Sequence, residues 1–172
     1  MIRIAVTGPE STGKSSIVKQ LADYYGCSYV PEYAREYLSL LNRPYTALDV
    51  ETIARKQMEL EDSISSNSRI IFYDTDLLVC RIWMEVVFGA CPDWLIAESR
   101  KQRYSHTLLM NIDLPWDPDP LREHPHLREE LFKRYRTALI EDKRPFTIIS
   151  GMNENRFEKA KNAIDKLDAL LF

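Results

Sequence analysis

Residues 8–15 read Gly8-Pro9-Glu10-Ser11-Thr12-Gly13-Lys14-Ser15, which satisfies the pattern G-x-x-x-x-G-K-[ST]. Few stretches restrict a fold as tightly. Before it runs Ile2-Arg3-Ile4-Ala5-Val6, short, apolar and partly β-branched, which reads as a buried strand; after it, Ile17, Val18 and Leu21 recur at helical spacing. Strand, glycine loop and helix in that order make a cradle for a polyphosphate. Gly8 and Gly13 let the backbone turn tightly and bring successive N–H groups inward, and the helix adds its free N–H groups and the positive end of its dipole. Lys14 is placed to reach the β- and γ-phosphates, and the Ser15 hydroxyl to ligate Mg²⁺. The candidate nucleotide-binding set is therefore Gly8, Glu10, Ser11, Thr12, Gly13, Lys14, Ser15 and Ser16. A plain strand–helix turn is the bland alternative, and it has no need of a lysine there.

The rest of the chain has to supply a sheet around that loop. At 172 residues, with 45% apolar and 28% charged residues, it is one ordinary globular domain by length and composition. A net charge of −3 gives no electrostatic case for nucleic acid or an anionic membrane. No apolar run approaches the ~20 residues of a membrane span. The amino terminus enters strand and loop at once, so no signal peptide is expected. Cys27, Cys80 and Cys91 lack C-x-x-C spacing and suit reduced thiols of a cytoplasmic protein. His124-Pro125-His126 suits a polar surface turn better than a metal site, because proline disfavours a helical ligand face.

Helices are predicted over residues 13–25, stopping at Gly26, and over 32–41 after a short strand at 27–30. The next helix carries Val50, Ile53 and Gln57 on one face, opens at Thr46 with Asp49 in a capping box, and ends at 65–68. Residues 69–76 form a third strand running into the acidic tip Asp74-Thr75-Asp76; helices follow at 77–88 and 92–101. A fourth strand spans 106–113. The proline-rich run after it cannot be regular, and a helical pattern resumes at Leu121. A fifth strand at 146–151 leads to a final helix with Asn155 and Glu158 as a capping box. Strands alternating with helices give an α/β fold: a five-stranded parallel sheet with helices on both faces, of the P-loop nucleoside triphosphate hydrolase or nucleoside-kinase kind. Right-handed crossovers bring Gly8, Glu32, Asp74, Asp76, Asp113 and Gly151 to one edge of that sheet.

Phosphoryl transfer needs a carboxylate near the acceptor hydroxyl, Mg²⁺ on the phosphates, and positive charge closing over the transferring group. Glu32, Asp74 and Asp76 are the candidate carboxylates, with Lys14 the catalytic cation and Ser15 and Asp74 the metal-facing pair. Arg35 lies one turn after Glu32; a local ion pair between them would be worth only ~0.2–0.5 kcal/mol. The segment around 114–136 is a candidate lid, with Arg122 and Arg128 its best phosphate-facing cations.

These motifs also resemble a known family. The loop Gly8–Ser15, Pro31-Glu32-Tyr33-Ala34-Arg35-Glu36-Tyr37, Asp74-Thr75-Asp76 and Asp113-Leu114-Pro115-Trp116 are similar to the ribosylnicotinamide kinase domain of the bifunctional bacterial NAD-salvage proteins, within the P-loop nucleoside and nucleotide kinases. The resemblance spans nearly the whole chain. It implies ATP- and Mg²⁺-dependent phosphorylation of the 5′-hydroxyl of nicotinamide riboside, giving nicotinamide mononucleotide and ADP. It would set Glu32, Arg35, Asp74 and Asp76 around riboside and metal, with Glu32 or a strand-three aspartate as base, and Gly151 and Asn153 near adenine. No counterpart of the family's adenylyltransferase or DNA-binding parts is expected. Where the family commonly has an aromatic before the motif glutamate, this chain has Pro31, so Tyr33, Trp83 or Trp116 would have to stack on the substrate base. Two other functions remain open at this point: a kinase of another nucleoside or nucleotide, and a P-loop regulatory ATPase acting on a protein partner. Oligomeric state is not legible.

Overall fold

The computed structural model describes residues 1–64 and 68–171. Its centre is a five-stranded sheet in the order β2-β3-β1-β4-β5, every neighbouring pair parallel. In chain order the strands are β1 (Ile2–Thr7), β2 (Tyr29–Val30), β3 (Ile70–Asp74), β4 (His106–Met110) and β5 (Phe146–Ile149). The helices are α1 (Lys14–Tyr25), α2 (Tyr33–Ser39), α3 (Ala47–Ser63), α4 (Leu77–Val87), α5 (Asp93–Ser99), α6 (Arg128–Glu141) and α7 (Asn153–Leu171). The predicted α/β class holds. β2 and β3 lie on one side of β1, with β4 and β5 on the other, so the topological switch falls beside β1, where ligands of open parallel sheets bind.

Alternation along β1 divides the core. Ile2, Ile4 and Val6 pack with Ile17, Val18 and Leu21 of α1 and Ala160 and Ile164 of α7. On the opposite face Ala5 joins Ile71, Tyr73 and Tyr104, with Leu60 of α3 against them. Leu109 of β4 meets Leu78 and Ile82 of α4 and Leu131, Tyr135 and Leu139 of α6. Each fully buried aliphatic side chain contributes about 1.5–3 kcal/mol, so the two faces together fix the sheet's register. That register sets Val6 beside Asp74 and Thr7 beside Leu109, bringing the loop after β1 between the tips of its neighbours.

Several boundaries differ from the sequence-based expectations, each for a local reason. α1 stops at Gly26 as predicted, with Gly26 left-handed and the Cys27 N–H returned to the Ala22 carbonyl; that turn consumes 27–28, so β2 keeps only two residues. Thr46 and Asp49 form the predicted capping box on α3, and Asp49 also holds Arg43 at 2.7 Å. The expected helix end at 65–68 falls mostly on residues outside those described. Helix does not begin at Leu121: a 3₁₀ turn at Pro125–Leu127 leads into α6. Nor do Asn155 and Glu158 form a capping box, because α7 has already begun at Asn153. Cys27, Cys80 and Cys91 are free thiols, and Cys80 is buried in the α3–α4 core.

Candidate active site

The loop of residues 8–13 closes over the carboxyl end of β1. Gly8 has φ +135°, and a Cβ there would stand 2.9 Å from the Met110 carbonyl oxygen, so only glycine lets the loop pass β4 this closely. The Thr12 hydroxyl donates to the Pro9 carbonyl at 2.8 Å. Lys14, the first residue of α1, folds its ammonium back into the loop and donates to the carbonyls of Gly8 (2.9 Å) and Pro9 (2.8 Å). Burial pushes that ammonium below the usual lysine range, while Glu32, Asp74 and Glu10 nearby hold it up.

A cavity of about 410 Å³ opens from this loop. Residues 8–16 line one end, and Glu32, Arg35, Trp83 and Arg122 lie in its wall with Arg43 and Tyr45. Glu32 stands at the N-cap position of α2, and its carboxylate makes no hydrogen bond among the described residues. Burial raises its carboxyl, Lys14 lowers it, and Asp74 raises it further. Asp74, the last residue of β3, is also raised by burial, with the Ser15 hydroxyl and Lys14 acting against that; its Oδ1 is buried without a hydrogen-bond partner. Lys14, Glu32 and Asp74 therefore share one electrostatic neighbourhood. The local Glu32–Arg35 pair does not form: Arg35 bonds Asp119 instead, at 2.9 Å.

Other predicted site residues stand elsewhere. Asp76 caps α4 wholly buried and outside the cavity wall, its Oδ1 taken by the Thr7 hydroxyl (2.9 Å) and its Oδ2 by Arg144 (2.6 Å). Tyr33 packs on Tyr37, its N–H donating to Gln57. Trp116 sits by Arg128, outside the wall, and Arg128 donates to the carbonyls of Ser11 and Leu114. Arg122 donates to Asp117. The Gly151 N–H donates to Asp113 at 2.6 Å, and Asn153 starts α7; neither reaches the wall.

Sequence reasoning missed three residues that organise this edge. Arg156 donates to the carbonyls of Thr12, Asn111 and Gly151 and to Asp113, riveting the loop to the ends of β4 and β5. Its signal was available, since positions 156, 160 and 164 share the buried stripe of α7 and an arginine there must have partners. Arg144 has no such signal, because it precedes β5 by two residues and its partner is 68 positions away. Tyr45, in a segment read as a break, stands edge-on to Trp83 at 5.0 Å. One prediction arises here. Arg144→Met leaves Asp76 charged and buried without its cation, so unfolding free energy in urea should fall by about 3–5 kcal/mol.

Among the described residues no three of His, Cys, Asp or Glu gather as a metal cluster, and no helix is long and apolar enough to cross a membrane.

Comparison with known proteins adds the following. A family model described as an AAA domain matches residues 3–156. The trifunctional NAD biosynthesis/regulator protein NadR of Escherichia coli (strain K12) is 28% identical over 124 residues, covering 69% of this chain and 30% of the relative. A crystal structure of NadR protein in complex with NR superimposes with a TM-score of 0.79 at 21% identity, over 96% of this chain and 49% of that one. Deoxyadenosine kinase from M. mycoides gives 0.62 at 14% identity, over 96% of this chain and 100% of the other. This chain thus spans less than half the length of the NadR proteins it matches, and it shares its fold with them and with deoxyadenosine kinase.

Proposed function

The chain belongs to the AAA domain family, and from that premise we propose that it is an ATP-dependent kinase that phosphorylates the 5′-hydroxyl of nicotinamide riboside, a cytoplasmic step of NAD salvage. The observation that carries this reading is the convergence of Lys14 and Glu32 in the wall of a cavity that also holds Tyr45 and Trp83, with the charge of Asp74, buried behind that wall, acting on both. The likeness to NadR, one of whose structures holds NR, supports the choice of acceptor.

In this mechanism residues 8–16 wrap the ATP phosphates with backbone N–H groups, and Lys14 neutralises the charge that develops on the β- and γ-phosphates. Glu32 takes the acceptor's hydroxyl proton; a carboxyl raised by burial and free of hydrogen-bond partners suits that task. Ser15 and Asp74 would hold Mg²⁺. The orphaned Asp74 Oδ1 and a serine hydroxyl are the hard oxygen donors that ion prefers. When bound, it would offset the negative charge of the phosphates. Arg35 faces the ribose, and Trp83 with Tyr45 borders the base. Asp76 takes no part in the chemistry and instead anchors α4 beneath the site, through Arg144 and Thr7.

ADP release measured over a panel of acceptors tests the assignment. Nicotinamide riboside should drive turnover well above the rate with ATP and water alone. The likeness to deoxyadenosine kinase supports the second reading, another nucleoside as acceptor, and turnover by such a nucleoside alone would select it.

A further inference from the structure

A carboxylate inside a phosphate cradle is an electrostatic cost, since it repels the polyphosphate that the loop is built to hold. Glu10 is such a group, and its contacts say what offsets the cost. Its Oε2 accepts the backbone N–H groups of Glu123 and His124, both at 3.1 Å. These N–H groups stand just before the 3₁₀ turn that leads into α6, so Glu10 serves that helical entrance as a capping side chain would. Ser11 adds two more ties: its hydroxyl accepts the Asp117 N–H at 2.8 Å, and its carbonyl accepts Arg128 at 3.1 Å. On the acceptor side the same segment is held by Asp119, which accepts from Arg35 at 2.9 Å, and by Glu123, which accepts from the Tyr45 hydroxyl at 2.5 Å. Residues 114–127 thus form a strap between the two halves of the cavity. Arg122, in the cavity wall, immediately precedes the two N–H groups that Glu10 holds.

We propose that Glu10 is a positioning residue: it latches the strap to the phosphate loop and so sets Arg122 over the phosphate end of the cavity for the transfer step. The kinetic consequence rests on the kinase reading above; the latch itself does not. A latch made of charge-assisted hydrogen bonds depends on the acceptor oxygen, and a glutamine retains one such oxygen.

Limited trypsin digestion of the full chain, with and without AMP-PNP and Mg²⁺, followed after Arg122, tests it. With nucleotide bound, Glu10→Ala should be cut about tenfold faster than the unmodified protein, and Glu10→Gln at an intermediate rate. Ser11→Ala removes one tie and leaves Glu10 in place, so it should also be cut faster, and it serves if Glu10→Ala does not fold. In phosphoryl transfer, Glu10→Ala should lose about tenfold in kcat with KM for ATP changed by less than about threefold, and Glu10→Gln should recover most of the loss. Cleavage in both alanine variants at the unmodified rate, or a glutamine variant as poor as the alanine one, overturns the latch. Because digestion needs no acceptor, a wrong acceptor assignment leaves that arm intact, whereas a wrong latch fails it whatever the acceptor.

Discussion

Lys14→Ala should lose phosphoryl transfer by about a thousandfold or more in kcat while the protein stays folded. The ammonium is buried in the loop, where desolvation works against its charge and the carboxylates of Glu32, Asp74 and Glu10 sustain it. A cation kept charged at that cost is pre-placed, so no solvent has to reorganise when the γ-phosphoryl group takes on charge. Its removal relieves the desolvation and takes a donor from the Gly8 and Pro9 carbonyls, of which Pro9 keeps the Thr12 hydroxyl. These effects oppose one another, so the urea midpoint should shift little. Arginine is no substitute, because a planar fork does not fit a site shaped for a compact ammonium. Steady-state kinetics with equilibrium unfolding checks both halves. An unchanged kcat in Lys14→Ala removes the mechanism.

Glu32→Gln should lower kcat by about 10²–10⁴, the range of a positioned general base. The pH profile makes the test sharper. Burial raises the Glu32 carboxyl above the ordinary glutamate value, and the base works only when ionised. Activity should therefore fall as pH drops through the raised pKa, and this acid limb should vanish in Glu32→Gln. The stability sign is the opposite of that for a salt-bridged carboxylate. A raised folded-state pKa means that ionisation destabilises the fold: the penalty is absent below the unfolded value and fully developed above the folded one. At neutral pH, Glu32→Gln should thus be at least as stable as the unmodified protein although it is nearly inactive. If Glu32→Gln is mild and Asp74→Asn is severe, the proton acceptor is Asp74.

The placement of Lys14 and Glu32 in the cavity wall was legible in the sequence because it is set locally. A lysine after G-x-x-x-x-G and a glutamate closing a short strand need only the chain on either side of them. The same holds for α1 with its glycine stop and for the Thr46–Asp49 box. What was hidden depends on contacts across the fold. Asp76 follows the same strand tip as Asp74 two positions on, and nothing in the run Asp74-Thr75-Asp76 tells one from the other; Arg144, arriving with β5, draws Asp76 inward and leaves Asp74 with an unpartnered oxygen. Helical periodicity after Leu121 suggested an early start for α6, but the N–H groups of Glu123 and His124 are claimed by Glu10 from more than a hundred residues upstream. The proline-rich segment was named a candidate lid from its sequence, but the contacts that tie it to Glu10 and Ser11 span more than a hundred residues and were not legible there.

The most direct measurement of the central claim is product identification after incubating the protein with ATP, Mg²⁺ and nicotinamide riboside, alongside matched reactions with purine and pyrimidine nucleosides. Formation of the 5′-monophosphate of nicotinamide riboside in step with ADP, abolished in Lys14→Ala, is the result predicted. ADP release no faster than in the reaction without acceptor, while another nucleoside is phosphorylated, would contradict it.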